Sequence, residues 1–555
     1  MSFALSAAGA GGVWQYVIFV LYIAIIVTVS ILCRKKSTSV NEFLFSKQGL
    51  GAWLSAFAYG ATYFSAVVFV GYAGKFGWSF GLAAVWIGIG NTLIGTLTAW
   101  LVLAKRTRYM TQVLGARTMP EFFEKRYESK HIKLVASIVI FIFLLPYSSS
   151  VYQGLGFIFE SAIGLSSEWC ILILAALTAL YLFMGGYFAT SVTDFIQGII
   201  MLSGIIALVF VLLANPSMNW GEGLKAISDS GLGFVAHFDV PAGKTFLDSK
   251  AFNVIILILL TSFGIWALPQ SIHKFYAIKN EEAIKKGVII SSVFSLIIGG
   301  GAYFMGSFVT RFITPERFAG DLGGNFDRLV PEMLTQNLPS AMLGLIVVLL
   351  FSASMSTLAA LSLSSASTVT MDFVKGYVKA TLAEKNTNIL LRCLCLVFVA
   401  ISAVLAILKI DVIVTMMSLS WGVLAGCFIG PYVLGLYSKK INKIGAYASI
   451  ITSLVITFVL VFALGAWQAG DGASASAIIK AGISKSPFIG VVAMAASVIV
   501  TPVFSIIFKK YNPSENTLKI AFPKKFNLSD VLINAETVVE AAENVEINEE
   551  TETEK

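Results

Sequence analysis

The chain has 555 residues, of which 57% are hydrophobic and 13% charged, with a net charge of +8. Soluble globular chains carry about 25% charged residues, so a soluble enzyme, a secreted scaffold and a disordered chain are excluded. The apolar residues fall in repeated blocks of about 20, the length that crosses ~30 Å of hydrocarbon as a helix. The composition therefore predicts a polytopic, all-α integral membrane protein.

Thirteen transmembrane helices are predicted from the apolar blocks between charged or Gly/Pro-rich breaks. In chain order they cover residues 14–33, 52–73, 81–103, 134–160, 168–185, 190–214, 252–272, 288–312, 339–371, 389–408, 411–436, 445–466 and 486–508. The first block is expected to be retained, because the residues before it lack the basic region of a signal peptide. Arg34, Lys35 and Lys36 follow this block directly, which places the amino terminus outside.

The distribution of basic residues agrees with this topology. Of the 39 lysines and arginines, 29 fall in the loops and tail predicted to be cytoplasmic. The basic residues of the cytoplasmic loops therefore explain the net positive charge of the chain. No cluster of basic and aromatic residues resembles a nucleic-acid surface. We expect a multi-pass protein of the cell membrane with its carboxyl terminus in the cytoplasm.

The last 26 residues, 530–555, contain nine acidic residues and one lysine. This composition predicts a disordered acidic tail. The tail could bind an unidentified partner, although solvation alone is the simpler explanation.

Two of the predicted helices carry helix-breaking residues near their middle. These residues are Gly60-Ala61 in the second helix, and Gly264 and Pro269 in the seventh. Interrupted helices at corresponding positions of two halves indicate an inverted-repeat transporter with its site at the membrane midplane. Gly and Pro also serve packing and kinking in transmembrane helices, so both interpretations stay open on this pattern alone.

The ninth predicted helix supplies candidate ion ligands. Ser356 and Thr357 lie near its centre and share one helical face with Ala353 and Ala360. Hydroxyl oxygens, together with carbonyls freed by a broken helix, form a nearly uncharged oxygen cage suited to a small monovalent cation. Intramembrane hydroxyls also bond to their own helix or tighten helix packing, so this helix alone does not decide the function.

Asp194 lies about one turn inside the predicted cytoplasmic start of the sixth helix. An acidic side chain costs about 2.5–3.5 kcal/mol at the centre of a membrane helix, which makes Asp194 a functional candidate. The helix dipole would also favour an acid in an amino-terminal turn. No G-x-S-x-G stands at a strand-to-helix turn, and the sequence contains no zinc-protease or ATP-binding motif. An enzyme and an ATP-driven pump are therefore not predicted.

At these residues the sequence resembles the sodium:solute symporter family. The most specific motif is GGYFATSVTDFIQG at 185–198, supported by SMSTLAALSLSSAS at 354–367 and GCFIGPYVLGLY at 426–437. The resemblance covers nearly all of residues 14–508. It implies the five-plus-five inverted repeat that the family shares with neurotransmitter:sodium symporters, with extra terminal helices.

The implied organisation has six parts. They are the first helix and loop at 1–51, the first repeat at 52–214, an external loop at 215–251, the second repeat at 252–436, two additional helices at 437–508 and the acidic tail at 509–555.

The resemblance also implies a sodium site, with Na⁺ as the coupling ion. Its ligands would be the backbone oxygens of Ala61, Phe64 and Ala353 and the hydroxyls of Ser356 and Thr357. Asp194 matches the family's acid on the sodium exit path. Some members bind a second Na⁺ with that acid and hydroxyls at positions where this chain has Ala359 and Ala360. We therefore expect one Na⁺ per cycle.

The transported solute is predicted from the first broken helix. Proline transporters of the family carry an acid where this chain has Tyr63 and a tryptophan where it has Val67, although Tyr147 matches. The fourth helix also lacks the arginine that the sialic-acid branch uses to hold a carboxylate. The run ATYFSAVVFVGYAGKFGW looks most like the pantothenate and monocarboxylate branch, whose pattern is A-T-Y-x-S-A-x-x-F-x-G.

The expected function is therefore sodium-coupled import of a small organic acid such as pantothenate or a monocarboxylate. A sodium/proline or other amino-acid symporter is the alternative, and a solute sensor or proton-coupled carrier on the same fold is another. The candidate substrate contacts are Tyr63, Ser65, Tyr147, Ser148, Tyr152, Trp266 and Trp421.

Overall fold

The computed structural model describes residues 13–33, 40–45, 49–240, 245–378, 382–409, 411–470, 472–523 and 528. The regular elements within these ranges are helices, and an isolated bridge pairs Leu50 with Ile278. The basic residues at 34–36 and the predicted acidic segment 530–555 lie outside the described residues.

The main helices are labelled here in chain order. They are α1 (Val13–Cys33), α2 (Ala52–Tyr63), α3 (Val67–Leu114), α4 (Met119–Tyr127), α5 (Lys130–Ile163), α6 (Ser167–Phe183), α7 (Gly186–Ala214), α8 (Lys250–Ala267), α9 (Pro269–Tyr276), α10 (Glu281–Phe312), α11 (Ser340–Val378), α12 (Glu384–Ile407), α13 (Ile413–Tyr437), α14 (Lys443–Ala469), α15 (Ala475–Ser484), α16 (Ser486–Ile507) and α17 (Glu515–Ala521).

Eleven helices in the described part of the chain are long and apolar enough to cross a membrane. The sequence predicts thirteen, and the difference arises at two places. Helix α6 has only 17 residues, and the second and third predicted crossings share α3, which turns at Gly81 (φ 60°, ψ −134°). The all-helical membrane architecture is confirmed, whereas the count of thirteen stays a prediction.

Burial separates a central pair of helices from the periphery. Helices α13 and α11 have 94% and 83% of their most apolar stretch inside the protein, against 17% for α1 and 28% for α14. An apolar helix whose sides are mostly exposed needs lipid around it, whereas a helix buried on all sides can carry polar groups that protein must satisfy. The functional candidates of the ninth predicted helix therefore lie in the core.

A sharp backbone turn at Gly186 separates α6 from α7. Its φ of 59° and ψ of −164° lie in a region that only glycine adopts readily. Helix α7 thus begins four residues before the predicted start at residue 190. Asp194 accordingly lies about two turns, or ~12 Å, inside the helix rather than one.

Short helices at Lys509–Tyr511 and Glu515–Ala521 follow the last long helix, which corrects the expectation that the acidic tail is disordered from residue 509 onwards. Helix α17 packs beside α3 and α4, where Arg106 donates to the carbonyl of Ala521 at 3.1 Å. The Arg106 guanidinium also lies 4.7 Å from the ring centroid of Phe522. Composition alone could not predict this docking, because its partners are more than 400 residues away in sequence.

Helices α3 and α10 approach each other closely at Gly77 and Gly306. A Cβ atom on Gly77 would lie 2.0 Å from the Gly306 carbonyl oxygen, and one on Gly306 would lie 2.3 Å from the Ala73 carbonyl oxygen. Small residues at such contacts let membrane helices pack backbone to backbone.

Gly306→Ala is therefore expected to destabilise the protein by about 1–3 kcal/mol through overpacking. The matched control is Gly300→Ala on the same helix, because a Cβ there meets nothing within 4 Å. Thermal unfolding of the purified proteins in one detergent measures the difference. Equal unfolding temperatures for the two variants would contradict the packing argument.

Candidate functional site

The first broken helix is interrupted at Phe64-Ser65, four residues later than the predicted break at Gly60-Ala61. Helix α2 continues through Tyr63, and Phe64 is extended with φ −104° and ψ 105°. Gly60 stays helical because its role is packing: a Cβ there would lie 2.4 Å from the ring of Phe294. The glycine marked the correct helix but not the residue at which it breaks.

This break leaves the carbonyl of Ala61 without its helical partner. The last helix-type hydrogen bond runs from the Phe64 N–H to the Gly60 carbonyl at 3.1 Å. The final carbonyls of a helix must find other partners, and the hydroxyl of Ser356 on α11 lies 3.0 Å from the Ala61 oxygen. The Thr357 hydroxyl lies 3.4 Å from the same oxygen.

Several oxygens converge around these two hydroxyls. The Ala353 carbonyl lies 3.2 Å from the Ser356 hydroxyl and 3.1 Å from the Thr357 hydroxyl. The Thr62 carbonyl lies 3.4 Å from Thr357 Oγ1. Each hydroxyl has a single proton and can donate to only one of these oxygens at a time, so lone pairs remain for a cation. The site is fully buried and contains no formal charge among these oxygens.

Four of the five predicted sodium ligands thus lie together, linking α2 to α11. Freed backbone carbonyls at a discontinuous helix are the groups that coordinate Na⁺ in such transporters. The fifth ligand, the carbonyl of Phe64, belongs to the extended residue at the break. Its role as a ligand stays a prediction.

The second broken helix is interrupted at Leu268. Helix α8 ends in a tight turn at Ala267, Leu268 is extended with φ −80° and ψ 123°, and Pro269 opens α9. Pro suits the first turn of a helix because its missing N–H is not needed there. Gly264 remains helical, and a Cβ at this position would lie 3.1 Å from the ring of Trp421.

Aromatic side chains from different helices meet between the two breaks. Trp421 of α13 stacks on Tyr63 with ring centroids 6.1 Å apart and meets Tyr147 of α5 edge-on at 5.7 Å. The Trp421 indole and Ser65 both lie beside the Tyr147 hydroxyl. Neither that hydroxyl nor the Trp421 indole N–H makes a hydrogen bond within the described residues. Unpaired buried donors of this kind suit a polar ligand.

The other predicted substrate contacts have different surroundings. The Trp266 indole N–H donates to the Ile94 carbonyl at 3.0 Å, so this donor is already used. Ser148 is buried next to Tyr147, and its hydroxyl has no partner in the described structure. Tyr152 lies about 140° around α5 from Tyr147 and faces Ser402 of α12. The structure thus gathers Tyr63, Ser65, Tyr147 and Trp421, and places Tyr152 apart from them.

Two functional candidates escape sequence reasoning. The Tyr72 hydroxyl lies 2.6 Å from the Ser418 hydroxyl and joins α3 to α13. Lys274 was expected outside the seventh predicted helix, which ended at residue 272, but α9 continues to Tyr276 and buries it. A pattern that marks where hydrophobicity ends cannot show that the next lysine turns inward.

Lys274 pairs with Asp194. Its Nζ lies 3.0 Å from Asp194 Oδ2, and the two side chains are 4% and 0% exposed. Burying one charge without the other would be costly, so α7 and α9 are held together by this pair. The predicted ion-path acid therefore has a partner on the second broken helix.

Two interrupted helices, an oxygen cage between one of them and a buried helix, and a buried ion pair beside the other define a membrane transporter. The profile of the sodium:solute symporter family matches residues 43–453. The chain belongs to this family.

Relatives and solved structures agree with this assignment. Sodium/proline symporter 2 of Staphylococcus saprophyticus is 27% identical over 454 residues, covering 80% of this chain and 86% of the relative. The sodium/proline symporter of Staphylococcus aureus is 25% identical over 453 residues with the same coverage. A Na⁺-coupled sialic acid symporter in its substrate-bound outward-open state matches with a TM-score of 0.69 and 17% identity, over 89% of this chain and 98% of that one.

The family confirms several expectations. The protein is a multi-pass membrane symporter, sodium is its coupling ion, and its relatives are transporters rather than enzymes. A small-molecule solute and Na⁺ are its transported partners. At 17% identity the sialic acid symporter establishes the shared fold alone.

Ser356→Ala and Thr357→Ala are each expected to raise the sodium concentration for half-maximal uptake about tenfold or more. Each removes a hydroxyl oxygen of the predicted sodium site, and a hydrogen bond or contact to a charged group contributes roughly 1.5–3 kcal/mol. Uptake at varied Na⁺ in proteoliposomes measures the change.

Ser354→Ala is the control for this pair, because the Ser354 hydroxyl bonds to Leu350 of its own helix at 2.8 Å. It should leave the sodium dependence unchanged. The predicted site is wrong if Ser356→Ala and Thr357→Ala behave like this control.

Proposed function

We propose that the protein imports a small organic acid together with one Na⁺ per cycle by alternating access. The observation that carries the proposal is the pair of unsatisfied donors, the Tyr147 hydroxyl and the Trp421 indole N–H, beside the first helix break. Two neutral donors suit a carboxylate, and they act strongly in a buried site of low dielectric constant.

The same region has little to offer an ammonium group. The residues gathered there carry no carboxylate, and the Tyr63 hydroxyl donates to the Thr261 carbonyl at 2.8 Å. A zwitterionic amino acid would leave its ammonium group without an anionic partner, which is costly in a buried site. The matched relatives, however, are named for sodium/proline symport. Proline is therefore the second candidate.

We propose a five-plus-five inverted repeat, 52–214 and 252–436, within thirteen crossings. Every predicted crossing has a helical counterpart once α3 is divided at Gly81 and α6 is counted. The breaks at Phe64-Ser65 and Leu268 fall in the first helix of each half, as inverted repeats require. Basic residues favour an external amino terminus and a cytoplasmic carboxyl terminus, in the cell membrane.

In this mechanism, sodium binds between the Ala61 carbonyl and the hydroxyls of Ser356 and Thr357, and so fixes α2 against α11. A ligand that binds one conformation more tightly shifts the population towards it. Sodium thereby stabilises the outward-open state that accepts solute, and it later leaves past Asp194. A membrane potential contributes about 2.3 kcal/mol per charge per 100 mV, which drives accumulation.

Solute uptake into proteoliposomes tests the proposal. Labelled pantothenate, short monocarboxylates and proline are compared at fixed pH with external sodium or choline. We expect an organic acid to accumulate only in sodium. Uptake of proline alone would establish the second candidate, and equal uptake in choline would indicate a proton-coupled carrier.

Tyr147→Phe is expected to raise the KM for the organic acid about tenfold, because it removes a donor worth roughly 1.5 kcal/mol to a charged group. Sodium binding measured without solute should stay unchanged. Tyr152→Phe is the control on the same helix and should leave the KM unaltered. Equal effects of the two substitutions would contradict the placement of the solute.

A further inference from the structure

The buried pair of Asp194 and Lys274 joins one helix of each proposed repeat. Asp194 lies two turns into α7, and Lys274 lies on α9 beyond the break at Leu268. Their charged atoms are 3.0 Å apart, and Asp194 Oδ1 has no hydrogen-bond partner in the described residues. This second oxygen can therefore still accept a hydrogen bond or a cation, although Lys274 neutralises the charge of the carboxylate.

The lysine also lies close to an aromatic ring. Its Nζ lies 5.3 Å from the centroid of the Tyr187 ring, which favours a cation through its negative face. The neighbouring His273 ring meets Tyr187 edge-on at 5.4 Å. A carboxylate at 3.0 Å and an aromatic face at 5.3 Å together suit one monovalent cation, and the chain supplies that cation itself as Lys274 Nζ.

This pair lies beside the helix that carries the sodium cage. One turn beyond Asp194, Gln197 donates to the Tyr22 hydroxyl at 3.0 Å, and Tyr22 reaches Met355 of α11. On α6, the helix that precedes α7, Tyr181 donates to the Met355 carbonyl at 3.3 Å. Met355 directly precedes Ser356, so these contacts connect the helix of Asp194 to a residue beside the cage.

Helix α11 offers no side-chain oxygen one turn beyond the cage. Ala359 and Ala360 are buried there, at 1% and 8% exposure. A solution cation at Asp194 would therefore depend on the carboxylate itself, whose Oδ1 has no partner in the described residues, and there it would meet the ammonium of Lys274. At close range in a buried site, two like charges repel strongly.

We propose that Lys274 is the resident cation of Asp194, that it takes the place of a second Na⁺, and that it limits the transporter to one Na⁺ per cycle. The inference rests on the proposed sodium symport. It assigns a positioning role to a residue of α9, because the lysine acts on the ion through Asp194.

The test measures how many sodium ions the purified chain binds, using radiolabelled Na⁺ alone without solute. The wild type should bind one ion per chain. Lys274→Gln removes the resident cation and leaves the Asp194 carboxylate without a counter-ion, so this variant should bind two Na⁺ per chain. Lys274→Gln/Asp194→Asn, which removes both charges, should return to one.

A charge-matched control separates this effect from a general loss of positive charge. Lys285 has a side chain that is 75% exposed and lies 3.7 Å from Glu281 within its own helix. Lys285→Gln should bind one Na⁺ with the affinity of the wild type. A wild type that binds no Na⁺ would contradict the proposed symport itself rather than this inference.

Asp194→Asn provides a second measurement that does not depend on the folding of Lys274→Gln. It leaves an uncompensated ammonium near the cage, so the sodium concentration for half-saturation should rise at least tenfold. Adding Lys274→Gln to the Asp194→Asn variant should restore the half-saturating sodium concentration of the wild type. The inference is overturned if folded Lys274→Gln still binds one Na⁺, or if the double variant stays as weak as Asp194→Asn.

Discussion

The structure depends on one constraint: a membrane offers no water to the backbone, so every carbonyl released from a helix needs a partner within the protein. Helix α2 ends at Tyr63 and releases the carbonyl of Ala61 in the most buried part of the molecule. The hydroxyls of Ser356 and Thr357 meet this oxygen across the helix interface. The groups that satisfy the break are therefore the groups that can hold an ion.

The same constraint explains why the cage needs no charge. Its carbonyl and hydroxyl oxygens remain satisfied by one another through the hydroxyl protons when no cation is bound, since each hydroxyl can either donate or accept. A carboxylate in the cage would need a permanent counter-ion at the same place. The chain keeps a buried acid outside the cage, Asp194 on α7, and neutralises it with Lys274. Ion binding and charge compensation are thus assigned to separate residues.

Sequence patterns could predict the class of fold because hydrophobic blocks of membrane length leave little freedom. They could also single out Ser356 and Thr357, which the structure places against the Ala61 carbonyl. The first break escaped exact prediction because a glycine can serve packing, as Gly60 does against Phe294. The second break directly precedes Pro269, one of the residues predicted to interrupt that helix. Lys274 escaped because its burial depends on where α9 lies, a tertiary property that no local pattern contains. The helix at Glu515–Ala521 depends likewise on distant partners such as Arg106.

The position of Lys274 on a half-helix has a further physical consequence. Helix α9 has eight residues and follows a break, so its contacts with neighbouring helices, rather than a continuous helix, hold it in place. The ion pair is one such contact, and it links this half-helix to α7. Separation of α9 from α7 would expose two opposite charges at once, which is costly unless water enters with them. A conformation that opens this side of the protein must therefore hydrate both charges as it opens, and the water that does so would reach the ion through the same gap.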